Sequence, residues 1–247
     1  MYTKYILCFV YIFVYINTQE VEIVSNALGN ANVIIKLIEE DLEIAKYKIL
    51  NTKEKKVNIK LYYECLCPDC RRFDSKELKK VVERLTPYLK IETYPYGNAK
   101  TSHINGKIEF KCQHGPKECY GNKLHACSLN IINNATDALL FNICMTDPEH
   151  PSGGSDDPTA DACGEKMAID AKTIKECAKS EKGNELLEQY GIESDKVHYK
   201  YVPYVLINGN EWTGNNFMKD VCAAFSTPPP PCVEEKSQNE KFLNVAV

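Results

Sequence analysis

The sequence predicts an α/β protein whose core begins with a parallel β-α-β unit. Residues 57–63 alternate apolar and polar side chains and are rich in β-branched and aromatic residues, a pattern typical of a strand. Apolar residues then recur at helical spacing over residues 73–89, and residues 89–96 alternate again. Because a helix of about fifteen residues joins the two strands, we expect a right-handed parallel crossover.

A Cys-x-x-Cys motif, Cys67 to Cys70, lies between the first strand and the helix, a placement typical of thioredoxin-like redox proteins. Pro68 suits the first turn of a helix, where its missing N–H is no loss. Cys67 then lies where free backbone N–H groups and the helix dipole favour a negative charge and lower the pKa of a thiol. Since the thiolate is the form that attacks a disulfide, Cys67 and Cys70 are the candidate catalytic residues.

Two other interpretations of this motif are a structural disulfide and a zinc site. Cys65 adds a third thiol to the cluster, which favours zinc. A zinc site, however, usually needs a second pair of ligands at matched spacing, and no histidine lies close by in the sequence. We therefore favour the redox pair and expect no metal.

Composition points to one globular domain in an oxidising compartment. The chain has 247 residues, of which 44% are hydrophobic, and a net charge of −4. With mild acidity and no basic cluster, it gives no sign of nucleic-acid binding. Twelve cysteines indicate a secreted or lumenal protein.

The N-terminal region has three predicted parts. Lys4 and the short apolar run after it predict a signal peptide over residues 1–18, with a retained membrane anchor as the alternative. No later segment is apolar enough to span a membrane, so the mature chain is expected to have no span. Residues 19–56 predict an amphipathic helix and a polar linker. A helix docked on the domain is favoured over a removable pro-segment or a partner-binding helix.

Residues 110–127 are dense in cysteine and contain His114 and His125. Disulfides are favoured here over a metal site, because no standard zinc spacing is met. Residues 124–145 predict one long helix, with a glycosylation sequon at Asn134 on its polar side. A loop is predicted over residues 147–161, followed by helices over 172–180 and 184–190, the second ended by Gly191.

The C-terminal part predicts a strand, a tight turn at Asn208-Gly209 and a last helix that starts near Asn216. In thioredoxin-like folds, a proline at the place of Pro203 is cis and lies against the Cys-x-x-Cys. Val202 and Pro203 are therefore expected to border the substrate groove, where backbone groups pair with an extended peptide. Residues 228–247 predict an extended proline-rich tail that becomes disordered.

The segment that starts at Cys112 resembles the signature of the gamma-interferon-inducible lysosomal thiol reductase family. That signature is CQHG, two residues, EC, two residues, N, four residues and C, and every fixed position from Cys112 to Cys127 matches. Residues 61–64, 95–99, 176–177 and 201–203 also resemble the family. The chain departs from the pattern at Cys65, where the family has a small residue without a thiol.

The resemblance implies a thioredoxin-like domain over residues 57–227, with a disulfide-rich helical insertion at about residues 100–198. It implies reduction of protein disulfides in acidic endosomes or lysosomes, or by secreted enzyme, without a cofactor. Cys67 would attack and Cys70 would resolve. The alternatives are a disulfide isomerase or oxidase of the secretory pathway, and a secreted binding protein without turnover. The oligomeric state stays open.

Eight cysteines remain after Cys8 in the signal peptide, the redox pair and Cys65 are set aside, and they suffice for four structural disulfides. Their connectivity is mostly open. The local pairs Cys163–Cys177 and Cys222–Cys232 are expected. The eight are Cys112, Cys119, Cys127, Cys144, Cys163, Cys177, Cys222 and Cys232.

Overall fold

The computed structural model describes residues 56–150 and 154–235, together with Lys36, Glu39 and Leu42. These three earlier residues are helical, in agreement with the helix predicted there. The predicted signal peptide, the rest of residues 19–55 and the end of the tail lie outside the described residues. In the described part of the chain, no helix has the length and apolar character needed to cross a membrane.

Strands and helices follow one another in an α/β order. The strands are β1 (Val57–Tyr63), β2 (Leu89–Pro95), β3 (Lys100–Ile104), β4 (Lys107–Lys111), β5 (Tyr204–Ile207) and β6 (Asn210–Glu211). The α-helices are α1 (Pro68–Phe73), α2 (Lys79–Leu85), α3 (Pro116–Ile131), α4 (Ala135–Met145), α5 (Asp157–Met167), α6 (Ala171–Lys179), α7 (Glu181–Asp195) and α8 (Phe217–Ala223). A π-helical turn, Asp74–Leu78, joins α1 to α2 without a break.

The main sheet has the strand order β2-β1-β5-β6. β1 pairs with β2 in parallel and with β5 in antiparallel, so that Leu61 faces Thr93 on one side and Val205 on the other. The peptide bond before β5, Val202–Pro203, is cis. A β-α-β unit followed by a cis-proline and a β-β-α unit is the thioredoxin-like arrangement, so the predicted fold class is confirmed.

The insertion between β2 and β5 contains a hairpin as well as helices. β3 and β4 pair through a turn at Asn105 and Gly106, which both have positive φ. This hairpin was missed, because its strands are short and mostly exposed. Helices α3 to α7 surround a second apolar core, in which Leu124, Phe141 and Ile174 are fully buried.

Three helix predictions need correction. The long helix over residues 124–145 is wrong, since α3 ends at Ile131 and Asn134 caps a new helix by accepting from the Thr136 and Asp137 N–H groups. The loop over residues 147–161 is too long, because Asp156 caps α5. Gly191 lies inside α7, where a Cβ would come 2.6 Å from the Tyr96 ring, so close packing requires it there.

Four disulfides are formed among the described residues. Cys163 bonds to Cys144 and Cys177 bonds to Cys127, so the predicted local pair Cys163–Cys177 is wrong. The prediction paired two cysteines that are close in the sequence. In the fold, α6 instead packs against α3, which is far from it in the chain. The other bonds are Cys112–Cys119 and the expected Cys222–Cys232.

The proline-rich tail is not extended throughout, because residues 230–235 are helical. Arg84 on α2 holds this segment to the domain. Its guanidinium donates to the carbonyl oxygen of Pro231 at 3.1 Å and pairs with the Glu235 carboxylate at 2.5 Å.

Candidate active site

Cys67 is the N-cap residue of α1, and Pro68 occupies the first helical position. The Cys67 backbone is extended, and its carbonyl oxygen accepts from the Arg71 N–H at 3.0 Å. The free N–H groups of the first helical turn therefore surround its side chain, as the sequence predicts. Cys67 is 8% exposed, whereas Cys70, one turn further along, is 0% exposed.

The two thiols differ strongly in acidity. The hydrogen bond from the Cys70 thiol lowers the pKa of Cys67 to about 6, and the backbone N–H groups of Cys70 and Asp69 contribute in the same direction. Burial and the charge of Asp69 oppose this change without cancelling it. Burial raises the pKa of Cys70 far above its usual value, and the adjacent Cys67 adds to the effect. Near neutral pH the pair thus holds one thiolate, at Cys67, and one thiol, at Cys70.

The two arginines after the motif, Arg71 and Arg72, form their hydrogen bonds and ion pairs with groups other than Cys67. Arg72 forms an exposed ion pair with Asp69 at 2.7 Å. Arg71 donates to the carbonyl oxygens of Thr146 and Asp147, both at 3.0 Å, and so fixes α1 to the end of α4. The low pKa of Cys67 therefore comes from hydrogen bonds at the helix start.

The cis-proline loop lies directly against the Cys67 thiol. The carbonyl oxygen of Val202 is 3.9 Å from Cys67 Sγ. Val202 and Pro203 are both partly exposed. The structure thus brings together all four residues predicted for the site, Cys67, Cys70, Val202 and Pro203.

Cys65 faces away from solvent, toward α3. It is fully buried, its Sγ lies 3.6 Å from the Glu118 carbonyl oxygen, and its N–H donates to Asn122 Oδ1 at 3.0 Å. A Cβ at Gly121 would come 2.5 Å from the sulfur, so α3 packs tightly on this thiol. Burial raises the pKa of Cys65 well above its usual value. Cys65 is therefore a poor nucleophile with a structural position.

A buried carboxyl group, Asp74, lies one turn after Cys70. Burial raises the pKa of Asp74 to about 8, a hydrogen bond from Thr146 opposes the shift, and the Cys67 charge adds to it. The sequence does not predict a role for Asp74, because a single acidic residue in a helix normally faces solvent. Only its position on the apolar side of the helix, four residues after Cys70, offered a signal.

His125 is a core residue. Its ring nitrogens pair with the Tyr63 hydroxyl at 2.7 Å and with Ser155 Oγ at 3.0 Å, and burial lowers its pKa to about 3. The cysteines near it in sequence are in disulfides. In the structure, Cys112, Cys119 and Cys127 are thus bonded to other cysteines, which is the disulfide interpretation favoured for this segment.

His114 instead meets two buried carboxylates, Glu64 and Glu118. His114 Nδ1 is 2.5 Å from Glu118 Oε2 and 3.5 Å from Glu64 Oε2. Both carboxylates are 0% exposed, and the His114 side chain is 32% exposed. This cluster joins the end of β1 to the start of α3. Both glutamates lie in segments that resemble the family, but the sequence did not predict either of them as a site residue.

Comparison with known proteins adds a family context. The family model described as gamma interferon inducible lysosomal thiol reductase matches residues 58–167, which include the Cys67–Cys70 pair and the whole of residues 112–127. GILT-like protein 2 of Drosophila melanogaster is 33% identical over 190 residues, 75% of this chain and 84% of that protein. The gamma-interferon-inducible lysosomal thiol reductase of Carassius auratus is 30% identical over 184 residues, 70% of each chain. A gamma-interferon-inducible lysosomal thiol reductase-like protein of Anopheles gambiae is 29% identical over 229 residues, 85% of this chain and 94% of that protein.

Proposed function

The chain belongs to the gamma-interferon-inducible lysosomal thiol reductase family and is a thiol-disulfide oxidoreductase, and from this premise we propose that Cys67 attacks protein disulfides and Cys70 resolves the product. The observation that carries the assignment is the difference between the two thiols. Cys67 is at the helix start with its pKa lowered to about 6, and Cys70 is fully buried with its pKa raised. The group that ionises is also the group nearer to solvent.

The reaction has two exchange steps. The Cys67 thiolate attacks one sulfur of a substrate disulfide, forms a mixed disulfide and releases the other sulfur as a thiolate, which takes up a proton. Cys70 then loses its proton and attacks Cys67 Sγ, which releases the second substrate thiol and leaves a Cys67–Cys70 disulfide. Two electrons pass to the substrate, and an external dithiol or two external thiols must return them to the enzyme and leave as a disulfide.

The lowered pKa of Cys67 supports activity in acid. At pH 5, a thiol of pKa about 6 is about 10% ionised, whereas a thiol with the usual value of 9.0 is about 0.01% ionised. This gain of about a thousandfold exceeds the loss of intrinsic nucleophilicity, which is about twentyfold to thirtyfold for a change of three pKa units. The net advantage at pH 5 is therefore some thirtyfold or more.

The substrate groove runs along the cis-proline loop. The Val202 carbonyl next to Cys67 Sγ is positioned to accept a hydrogen bond from an extended substrate peptide. Pro203 has no N–H and shapes the wall of the groove. In this arrangement the substrate disulfide lies over Cys67, and its flanking residues pair with the loop.

The isomerase or oxidase alternative has one observation in its favour. A lowered pKa at Cys67 stabilises the reduced pair, by about 1.4 kcal/mol or about 30 mV at pH 7. The reduction potentials of thioredoxin and protein disulfide isomerase differ by about 90 mV, so a change of about 30 mV does not decide between a reductase and an isomerase. At pH 5 the change caused by the lowered pKa is close to zero. Equilibration with glutathione separates them: a potential below about −220 mV supports the reductase, and one of about −120 to −180 mV supports the alternative. Family membership argues against a binding protein without turnover.

The disulfides and the family fit a protein of the secretory pathway or the lysosome. We place it in endosomes or lysosomes or outside the cell, after removal of residues 1–18. Asn134 is exposed, and its Oδ1 caps α4, which leaves Nδ2 available for a glycan. Loss of an endoglycosidase-sensitive mass in Asn134→Gln would support this modification, and an unchanged mass would exclude it.

Reduction of insulin disulfides at pH 5 and pH 7 tests the function. We expect activity at both values in the wild-type chain, none in Cys67→Ser, and near wild-type activity in the matched control Cys65→Ser, whose sulfur faces α3. Cys70→Ser should trap the mixed disulfide with substrate. Full activity in Cys67→Ser, or equal loss in Cys65→Ser, would overturn the assignment.

A further inference from the structure

We propose that Glu64, His114 and Glu118 form a binding site for one divalent metal ion, with Zn²⁺ as the best match to their donor atoms. Zn²⁺ binds well to one imidazole nitrogen and two carboxylate oxygens, and three protein ligands leave a fourth position for water. The site contains no thiol, although Glu64 directly precedes Cys65 and Cys65 Sγ lies 3.6 Å from the Glu118 carbonyl oxygen. His114 and Glu118 both belong to the family signature that starts at Cys112. Sequence analysis weighed histidines only with cysteines here and therefore expected no metal.

The three side chains bring their donor atoms close together. His114, Glu64 and Glu118 each offer one nitrogen or oxygen donor, and these three atoms all lie within 4.8 Å of one another. Zinc bonds of about 2.0–2.2 Å in tetrahedral geometry place two donors about 3.3–3.5 Å apart. The separation of 3.5 Å between His114 and Glu64 already fits, and the 2.5 Å between His114 and Glu118 requires a small opening.

The second oxygen of each carboxylate is held by a backbone N–H group. Glu64 Oε1 accepts from Asn98 at 2.6 Å, and Glu118 Oε1 accepts from the His114 N–H at 3.0 Å. Gly97 makes the first of these contacts possible, because it has positive φ and a Cβ there would come 2.0 Å from Glu64 Cγ. These outer contacts fix the remaining oxygens toward the imidazole, as the outer shell of a metal site does.

A simple ion pair leaves one atom unexplained. His114 and Glu118 form the close pair, whereas Glu64 Oε2 is fully buried and, within the described residues, has no hydrogen-bond partner, since its 3.5 Å separation from His114 Nδ1 is too long for a good hydrogen bond. A buried carboxylate oxygen without a partner is costly. A cation between the three side chains would remove that cost, and the partly exposed His114 ring marks the path from solvent.

The other cluster with metal-ligand composition does not compete. Cys144, His150 and Cys163 lie close together, but both sulfurs belong to one disulfide. A disulfide sulfur is not a thiolate ligand. Glu64, His114 and Glu118 are thus the stronger candidate in the described part of the chain.

Calorimetric titration of the oxidised, metal-free chain with ZnCl₂ at pH 7 tests the proposal. Oxidation ties up Cys67 and Cys70, so that zinc binding by these thiols does not contribute. We expect one ion per chain and a loss of affinity of about tenfold or more in His114→Ala, Glu64→Gln and Glu118→Gln. The matched control is His103→Ala, which removes an exposed histidine paired with Glu188 at 2.9 Å and should bind as the wild type does.

A second measurement needs no variant. Co²⁺ bound to the wild-type chain should show the visible bands of nitrogen and oxygen ligands without a thiolate charge-transfer band. No stoichiometric binding, a thiolate band, or undiminished affinity in a folded Glu64→Gln would overturn the site. Because the oxidised chain performs no turnover, these outcomes leave the thiol assignment to its own test.

Discussion

Replacement of Cys70 by alanine should raise the pKa of Cys67, because the Cys70 thiol is the largest source of its low value. A hydrogen bond to an ionised group contributes about 1.5–3 kcal/mol, and about 1.4 kcal/mol corresponds to one pKa unit. We therefore expect the pKa of Cys67 to rise from about 6 by about 1–2 units. Cys70→Ser keeps a donor at the same place and should stay closer to the wild type.

The assay is the rate of alkylation of Cys67 by iodoacetamide between pH 4 and pH 9, measured by mass spectrometry. At pH 5, Cys70→Ala should have about tenfold to a hundredfold less thiolate, partly offset by higher intrinsic nucleophilicity, so its rate should fall about threefold to tenfold. At pH 9, where both forms are ionised, the same variant should react faster than the wild type. The two pH profiles should therefore cross.

Two results would refute this reasoning. If Cys70→Ala and Cys70→Ser have the same midpoint as the wild type, the Cys70 thiol does not stabilise the Cys67 thiolate. If the wild-type midpoint lies near the usual value of 9.0, the start of α1 does not lower the pKa of Cys67 at all.

Three further predictions concern stability. Burial raises the pKa of Asp74 to about 8, so this group should make the wild type less stable as pH rises from about 4 through 8. In urea unfolding, Asp74→Asn should be more stable than the wild type by about 2–4 kcal/mol at pH 7 but not at pH 4. Equal stability of the two proteins at pH 7 would contradict this prediction. Replacing Cys144 and Cys163 together by alanine should lower the free energy of unfolding by about 2–4 kcal/mol in the same assay, and an unchanged midpoint would argue against a structural bond there. Gly121→Ala should cost about 1–3 kcal/mol through its clash with the Cys65 sulfur and the Ser155 carbonyl oxygen. Cys65→Ala should recover only the part of this loss that comes from the sulfur, and strictly additive effects would argue against the contact with Cys65.

The sequence predicted those parts of the fold in which local pattern and tertiary packing agree. β1 and β2 alternate and are buried as expected, and the turn at Asn208-Gly209 has positive φ at both positions, as an Asn-Gly hairpin requires. Pro68 marked the start of α1, and this placed Cys67 at the N-cap. For these elements, a few neighbouring residues carry enough information.

Contacts between elements that are far apart in the chain could not be predicted from the sequence. Glu64 follows β1, His114 lies in a loop and Glu118 lies in α3, and nothing in the neighbouring sequence shows that the two glutamates are buried. The disulfide from Cys127 to Cys177 likewise spans 50 residues, because it follows the packing of α3 on α6. Whether an ionisable group is buried depends on the element that packs over it. When that element is far away in the chain, the residues next to the group in sequence do not show that it is buried.

Burial also limits how the disulfides of this chain can react with its own active-site thiol. A thiolate attacks one sulfur of a disulfide and displaces the other, so a sulfur that an outside thiolate cannot reach is not attacked. Cys127, Cys163 and Cys232 are at most 4% exposed, less than the 8% of Cys67, so three of the disulfides each offer at most one sulfur to attack. A thiol-disulfide oxidoreductase whose own disulfides are shielded in this way offers fewer targets to neighbouring copies of itself.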